Sequence, residues 1–262
     1  MRIQKTGFIV GFISLAFFSL LLSCATGQAP SQIANSLPQN ELAFYNDSFD
    51  TIRDDLWDKA GYVFTATQMA NIKIAEMTIE DGRLRIDTQT GGFSKGGLVS
   101  KFALRGDFDV QIDFQIDFVA DDFDMDQVLA FGAVEKSKSG QQNRMTSIGL
   151  YKRGKNKKSE IISGYLERGK YHLGYHHYID NFTGAARFVR TGDKVSTFYR
   201  KEGQTRWTKM CTLPSSQNDI TIGFALQNFT KDRNSIMAAH PISAWIDNFT
   251  INAAQEIIES DI

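Results

Sequence analysis

Apolar and polar residues alternate strictly along one stretch near the middle of the chain. Over residues 108–118 every second residue is Phe, Val or Ile, and the residues between them are Asp or Gln. Successive side chains of a strand point to opposite faces, whereas a helix would scatter these apolar residues around its axis. The pattern therefore predicts a long β-strand with one dry face and one wet face, and a second layer of structure that covers the dry face.

Shorter runs of the same kind occur on both sides of this strand. The predicted strands are 42–45, 61–67, 72–79, 83–87, 98–104, 128–134, 146–151, 160–166, 171–178, 185–190, 194–200, 207–213, 219–227 and 244–251. Many short strands, together with 20 Phe, 8 Tyr and only 4 Pro, indicate an all-β sandwich or barrel. A chain of 262 residues is long enough to bury a sizeable core.

The beginning of the chain has the features of an export signal with a lipid attachment site. Arg2 and Lys5 precede an apolar run at 8–22, which is shorter than the roughly 20 residues of a membrane-spanning helix. The run leads into the sequence LLSC, which resembles the lipobox of bacterial lipoproteins. The resemblance implies cleavage before Cys24, lipidation of its thiol and, because Ala25 follows, an outer-membrane location. An ordinary cleaved leader and a membrane anchor are the alternatives.

Composition indicates how the chain divides into segments and limits the partners that it is expected to bind. We expect a signal peptide at 1–23, a flexible polar tether at 24–41, one domain at 42–253 and an acidic tail at 254–262. The net charge is −1, and removal of Arg2 and Lys5 leaves 27 basic against 30 acidic residues, or −3. This balance gives no reason to expect nucleic acid as a partner, or a membrane held by charge.

Several segments, in their order along the chain, resemble the concanavalin A-like lectin/glucanase superfamily. They are 46–49 with Trp57, 81–86, 108–118, 186–193 with Trp207, and 245–249. The resemblance implies an all-β jelly-roll sandwich of two antiparallel sheets, often with sugar bound on the concave face. Lectins, hydrolases and interaction modules share this fold, so the resemblance does not fix the function.

A glycoside hydrolase would require two carboxylates about 5–9 Å apart for catalysis. Asp113 and Asp117 share the wet face of the long strand but lie too far apart to form a pair, so either would need a carboxylate from a neighbouring strand. Laminarinase-type members of the superfamily carry Glu-x-Asp-x-x-Glu on one strand, whereas the only Glu-x-Asp here begins at Glu259. We therefore lean against an enzyme, and a solvated polar face is the simpler interpretation.

A structural calcium ion is also implied by the resemblance. Calcium binds six to eight oxygens from carboxylates and backbone carbonyls. In the laminarinase-type relatives its ligands are a carbonyl near the opening motif, a glycine carbonyl after an Asp-Gly turn and an aspartate of the last strand. The matching positions here are Asp47, Gly82 and Asp247. An aspartate that caps a turn is the alternative.

Sugar binding would use aromatic rings beside hydrogen-bonding side chains. Tyr171 and Tyr175 offer flat faces on which sugar rings stack, provided that both lie on the concave face together with the polar residues. The residues predicted to bind sugar are Tyr171, Tyr175, His176, Arg187, Gln115 and Asp113. The alternative is that the aromatic residues belong to the core or to a sheet edge.

These features favour a non-catalytic, lipid-anchored module of the bacterial envelope that binds polysaccharide or glycoconjugate. The alternatives are a structural or protein-interaction lipoprotein and a glycoside hydrolase. A basic turn at 152–158 could in addition bind acidic glycans or phosphate head groups, although such turns are more often only solvated.

Overall fold

The computed structural model describes residues 33–60, 72–119, 125–136, 142–154, 158–230 and 240–260. One short helix, Gln39–Leu42, and one 3-10 turn, Ala43–Tyr45, precede the strands. The strands of the described residues are β1 Trp57–Lys59, β2 Ile72–Ile74, β3 Glu76–Glu80, β4 Arg83–Asp87, β5 Phe93–Ile116, β6 Met125–Lys136, β7 Gln142–Arg153, β8 Ser159–Glu167, β9 Lys170–Ile179, β10 Phe182–Thr191, β11 Lys194–Lys201, β12 Thr208–Pro214, β13 Ile220–Thr230 and β14 Ser243–Glu259.

Strand β5 belongs to both layers of the sandwich. Its second half pairs with β10 and β14, which gives sheet 1 the order β12-β11-β10-β5-β14-β4-β3. Its first half pairs with β13, which gives sheet 2 the order β9-β8-β7-β6-β13-β5, with β1 and β2 on the other edge of β5. Gly106 lies between the halves with φ of +72°, and a Cβ there would come within 2.2 Å of Gln255 Oε1. A residue with a side chain would therefore strain the crossing point.

The two layers are held together by the apolar residues that alternate along each strand. Phe114 of sheet 1 is 4% exposed, and its ring lies 5.8 Å from that of Phe131 in sheet 2. Phe131 in turn stacks on Phe188 of sheet 1 at 4.6 Å. Aromatic pairs at such distances contribute packing energy beyond the area that they bury. The alternation of residues 108–118 thus has the predicted dry face, and sheet 2 covers it.

The opening motif is tied to the last strand around a buried tryptophan. Asp47 accepts hydrogen bonds from Trp57 Nε1 at 2.7 Å and from the backbone N–H of Phe49 at 2.8 Å. A backbone bridge joins Asp47 to Phe249, whose ring lies 5.1 Å from Trp57. Because buried polar groups require partners, Asp47 acts as the acceptor that orders this corner of the core.

The predicted all-β sandwich is confirmed, but several predicted boundaries are wrong. Residues 42–45 were expected as a strand and instead end the short helix, which has Pro38 at its N-cap, and form the 3-10 turn. Residues 98–104 and 108–116 lie in one strand, Asp117 and Phe118 follow its end, and 72–79 divides into two strands at Ala75. The predicted strand at 61–67 lies outside the described residues.

Both ends of the predicted domain extend further than expected. Leu37, within the expected tether at 24–41, donates its N–H to Ala254 O at 2.7 Å. Strand β14 continues through the expected tail to Glu259, which pairs with Phe102. The two segments support each other along one sheet edge, so neither is a free extension where it is described. In that part of the chain, neither helical segment has the length and apolar character needed to cross a membrane.

Candidate functional site

The outward face of sheet 1 brings together side chains from five strands. In the cross-strand register Asp247 of β14 lies opposite Asp113 of β5, which in turn lies opposite Ala185 of β10 and, beyond it, Arg200 of β11. Two residues further along the strands, Trp245 of β14 lies between Arg85 of β4 and Gln115 of β5. Since side chains two residues apart share a face, these two rows form one continuous polar surface.

A cavity of about 430 Å³ opens on this surface, and we refer to it as the groove. The groove is lined by Arg83, Asp113, Phe114, Gln115, Thr183, Gly184, Ala185, Arg200, Lys201, Glu202, Gly203, Gln204, Trp245 and Asp247. Arg83 Nη1 donates to Gln115 Oε1 at 3.0 Å, and the guanidinium of Arg85 lies 5.4 Å from the Trp245 ring. A flat indole beside fixed donors and acceptors is the kind of surface that binds a small polar ring.

Two carboxyl groups in the groove have perturbed acidities. Burial raises the pKa of the Asp113 carboxyl. The hydrogen bond from Asn248 Nδ2 and the positive charge of Arg200 lower this pKa, and the negative charge of the facing Asp247 raises it. Burial also raises the pKa of the Asp247 carboxyl. The backbone N–H of Asn248 and the charge of Arg83 act against this increase, and the charges of Asp50 and Asp47 add to it. Directly opposed residues of an antiparallel pair have Cβ atoms about 4.5–5.5 Å apart. The two side chains therefore start from neighbouring positions on the wall of the groove, and the charge of Asp247 acts on Asp113.

A buried ion pair supports the same face beside the groove. Arg187 Nε donates to Asp109 Oδ1 at 2.6 Å, and its Nη2 donates to the second carboxylate oxygen. Asp109 has no exposed surface and also accepts from Asn252 Nδ2 at 3.1 Å. Above the pair, the Trp207 ring lies 5.4 Å from the Arg187 guanidinium and 4.8 Å from that of Arg200. This network fixes Arg200, which lines the groove.

The six residues predicted to bind sugar do not come together. Asp113 and Gln115 line the groove and Arg187 lies buried beside it, all in sheet 1, whereas Tyr171, Tyr175 and His176 lie on β9 of sheet 2. The condition for sugar binding by this set, that Tyr171 and Tyr175 share a face with Arg187 and Gln115, is therefore not met in the structure. The reason is that β9 is the edge strand of sheet 2, whereas β10 lies in sheet 1.

The three residues on β9 have local partners. Tyr175 packs against the core near Tyr199, and burial together with Tyr199 raises its pKa to about 12. Tyr171 is 38% exposed, and its ring lies close to Gly164 of the neighbouring strand. His176 Nε2 lies 2.6 Å from Glu160 Oε2. The alternative interpretation, that these rings serve packing and a sheet edge, agrees with this placement.

Of the predicted calcium ligands, Asp47 acts electrostatically on Asp247, but Asp47 is already engaged in hydrogen bonds. Its carboxylate oxygens accept from Trp57 and Phe49, and its carbonyl accepts from the N–H of Phe249 at 2.8 Å. No group of three or more His, Cys, Asp or Glu side chains within the described ranges is arranged to hold a metal ion. The Asp47 side chain is thus occupied by these hydrogen bonds, so the implied ion would rely on backbone carbonyls and on the neighbouring carboxylates of Asp247 and Asp50.

Calcium at Asp47, Gly82 and Asp247 stays a prediction that melting can test. A metal ion that binds only the folded protein raises its stability by mass action. If the site binds calcium, a chelator should lower the melting temperature, and added calcium should restore it. An identical melting temperature in both conditions, with no metal detected by mass spectrometry, would remove the site.

The sequence interpretation missed Trp245, Arg83 and Arg200 as groove residues. A signal was present, because Trp245 and Asp247 alternate with buried Ala244 and Ile246 and so point outward. Arg83 alternates with buried Leu84 in the same way. The sequence alone does not show the strand register that brings these residues side by side.

Comparison with known proteins finds similarity in structure alone. No family model matches the chain, and no curated protein matches it either. Among solved structures it is similar to a β-glucanase of Bacillus licheniformis, with 16% identity over 84% of this chain and 99% of that one, and a TM-score of 0.54. This chain has the concanavalin A-like fold.

Two further structures with the same fold show the range of its functions. One is an endo-acting O-glycanase of the human gut microbiota that initiates mucin breakdown, with 12% identity, 83% and 99% coverage of this chain and that one, and a TM-score of 0.58. The other is the CBM2 module of the evolved Dit of Lactobacillus casei BL23 phage J-1, with 10% identity, 79% and 95% coverage, and a TM-score of 0.51. The concanavalin A-like fold therefore carries both enzymes and modules, and the site must decide between them.

Proposed function

We propose that this protein is a non-catalytic carbohydrate-binding module of the bacterial envelope, and that sugar binds in the groove of sheet 1. The observation that carries the proposal is the position of Trp245 directly opposite Gln115, beside the facing carboxyl groups of Asp113 and Asp247. The C–H face of a sugar ring packs on an indole, while planar carboxylate, amide and guanidinium groups bond pairs of hydroxyls. The glucanase, O-glycanase and CBM2 neighbours agree with a glycan ligand.

Replacing the indole tests this assignment. Trp245→Ala should lower the affinity for whichever glycan binds best on an array by about 5- to 30-fold, which corresponds to the roughly 1–2 kcal/mol of one aromatic contact. The variant should remain folded, because Trp245 points outward from sheet 1 and does not belong to the core between the sheets. Tyr165→Ala is the matched control, since Tyr165 is a half-buried ring of sheet 2 that stacks on His172 away from the groove. Equal affinity of Trp245→Ala and the wild type would contradict the proposal.

One observation favours a glycoside hydrolase as the second candidate. Asp247 supplies, from a neighbouring strand, the carboxylate that Asp113 lacks on its own strand. Retaining glycosidases hold two carboxyl groups about 5–5.5 Å apart, and one of them has a raised pKa. The same array glycans, assayed for released reducing ends, separate the candidates: turnover that Asp113→Asn abolishes would make this protein an enzyme, and binding without turnover supports the module.

We further propose that lipid on Cys24 holds the module at the outer membrane, facing the periplasm or the outside. The support is the apolar run of residues 8–22 that leads into LLSC, which lies outside the described residues. Cys24→Ser should retain its leader and lack the lipid, as read from the mass of the N-terminal peptide. Cleaved Cys24→Ser protein that still partitions with the membrane would contradict the anchor.

A further inference from the structure

A second cavity shares one lining residue with the groove and is lined by three lysines. It measures about 390 Å³ and lies between Lys152 near the end of β7, Lys158 just before β8, Lys201 at the end of β11, and Tyr178 and Asp180 around the end of β9. Lys201 also lines the groove. A ligand that occupies the groove could therefore extend past Lys201 into this lysine pocket.

The lysine pocket has an excess of positive charge. Its three ammonium groups face one carboxylate, Asp180, and in the described part of the chain none of the three lysines forms an ion pair with a carboxylate. Lys152 Nζ donates to Val119 O at 2.7 Å, and Lys158 Nζ lies 5.6 Å from the Tyr178 ring. Each ammonium has three donors, so both can still bond an anion. An anion between them would relieve the repulsion of the like charges.

We propose that the ligand is an acidic glycan, whose uncharged rings bind in the groove and whose sulfate or carboxylate substituent binds between Lys152, Lys158 and Lys201. This inference rests on the proposed carbohydrate function and adds the chemical class of the sugar. A lysine ammonium is a compact point charge that accepts such anions in many orientations. The shared side chain Lys201 favours a glycan over a lipid head group, because it joins the pocket to the groove. The net charge of −1 gives no general attraction to an anionic membrane.

The test separates the lysine pocket from the groove. The full-length protein is titrated with dextran sulfate, with the neutral glycan that binds best on the array, and with phosphatidylglycerol vesicles. Lys152→Gln/Lys158→Gln should lower the affinity for dextran sulfate by roughly five- to tenfold at low salt, and this loss should be smaller at high salt. The affinity of the same variant for the neutral glycan should not change. Lys194→Gln/Lys209→Gln, which removes two exposed lysines elsewhere, should bind both as the wild type does.

Each outcome that would contradict the proposal gives a different pattern of binding among the variants. Unchanged binding of dextran sulfate by Lys152→Gln/Lys158→Gln overturns the lysine pocket and leaves the groove to be judged by Trp245→Ala. A loss with this double variant but none with Trp245→Ala overturns the groove, and with it the acidic glycan that spans both. Tighter binding of the vesicles than of dextran sulfate, lost in the double variant, assigns the pocket to a lipid head group and overturns the proposal.

Discussion

Phe114→Asp should abolish cooperative folding. Phe114 is 4% exposed and packs on Phe131 across the interior of the sandwich. Removing a buried phenyl ring costs about 3–5 kcal/mol, and a carboxylate placed there without a partner adds several more. Domains are stable by only about 5–15 kcal/mol, so this sum reaches the whole free energy of unfolding. Circular dichroism during a thermal or urea titration would measure the loss.

The neighbouring residue provides the control. Gln115→Asp introduces the same charge one position along the strand, where the side chain faces the groove beside Arg83. Substitutions on such a surface usually change the free energy of unfolding by less than about 1 kcal/mol. Similar melting temperatures for Phe114→Asp and Gln115→Asp would show that the assigned register is wrong.

This contrast shows why the layers could be predicted from the sequence. Side-chain direction on a strand has a period of two, so residues 108–118 reveal their buried face without knowledge of their neighbours. Strand β13 reveals its face in the same way through Ile220, Ile222, Phe224 and Leu226, which are all buried. A second layer follows, because a dry face of this length requires cover.

The groove could not be predicted by the same reasoning. Asp113 and Asp247 lie far apart in the sequence, and only the pairing of β5 with β14 places them opposite each other. Tyr171 and Tyr175 look equivalent to Trp245 as sugar platforms until their strand is assigned to the other sheet. The pairing of Glu259 with Phe102 was missed for a similar reason: an acidic end suggests a tail, and its partner is distant in the chain.

Arg187→Met should cost about 3–5 kcal/mol, because it leaves the Asp109 carboxylate buried without its cation. Asp109 has no exposed surface, and Arg187 contacts both of its carboxylate oxygens. The hydrogen bond from Asn252 cannot compensate a full charge in that position. Urea unfolding, read by far-ultraviolet circular dichroism, gives the change in the free energy of unfolding.

The double variant Asp109→Leu/Arg187→Met separates the cost of an unpaired charge from the value of the pair. Replacing a whole buried ion pair by apolar residues of similar volume is often neutral or stabilising, so the double variant should recover most of the loss of Arg187→Met. A double variant as unstable as the single one would mean that Arg187 acts through packing, for which its contacts with Trp207 and Phe198 are available. A loss below about 1 kcal/mol for Arg187→Met alone would instead show that the ion pair does not stabilise this face of sheet 1 beside the groove.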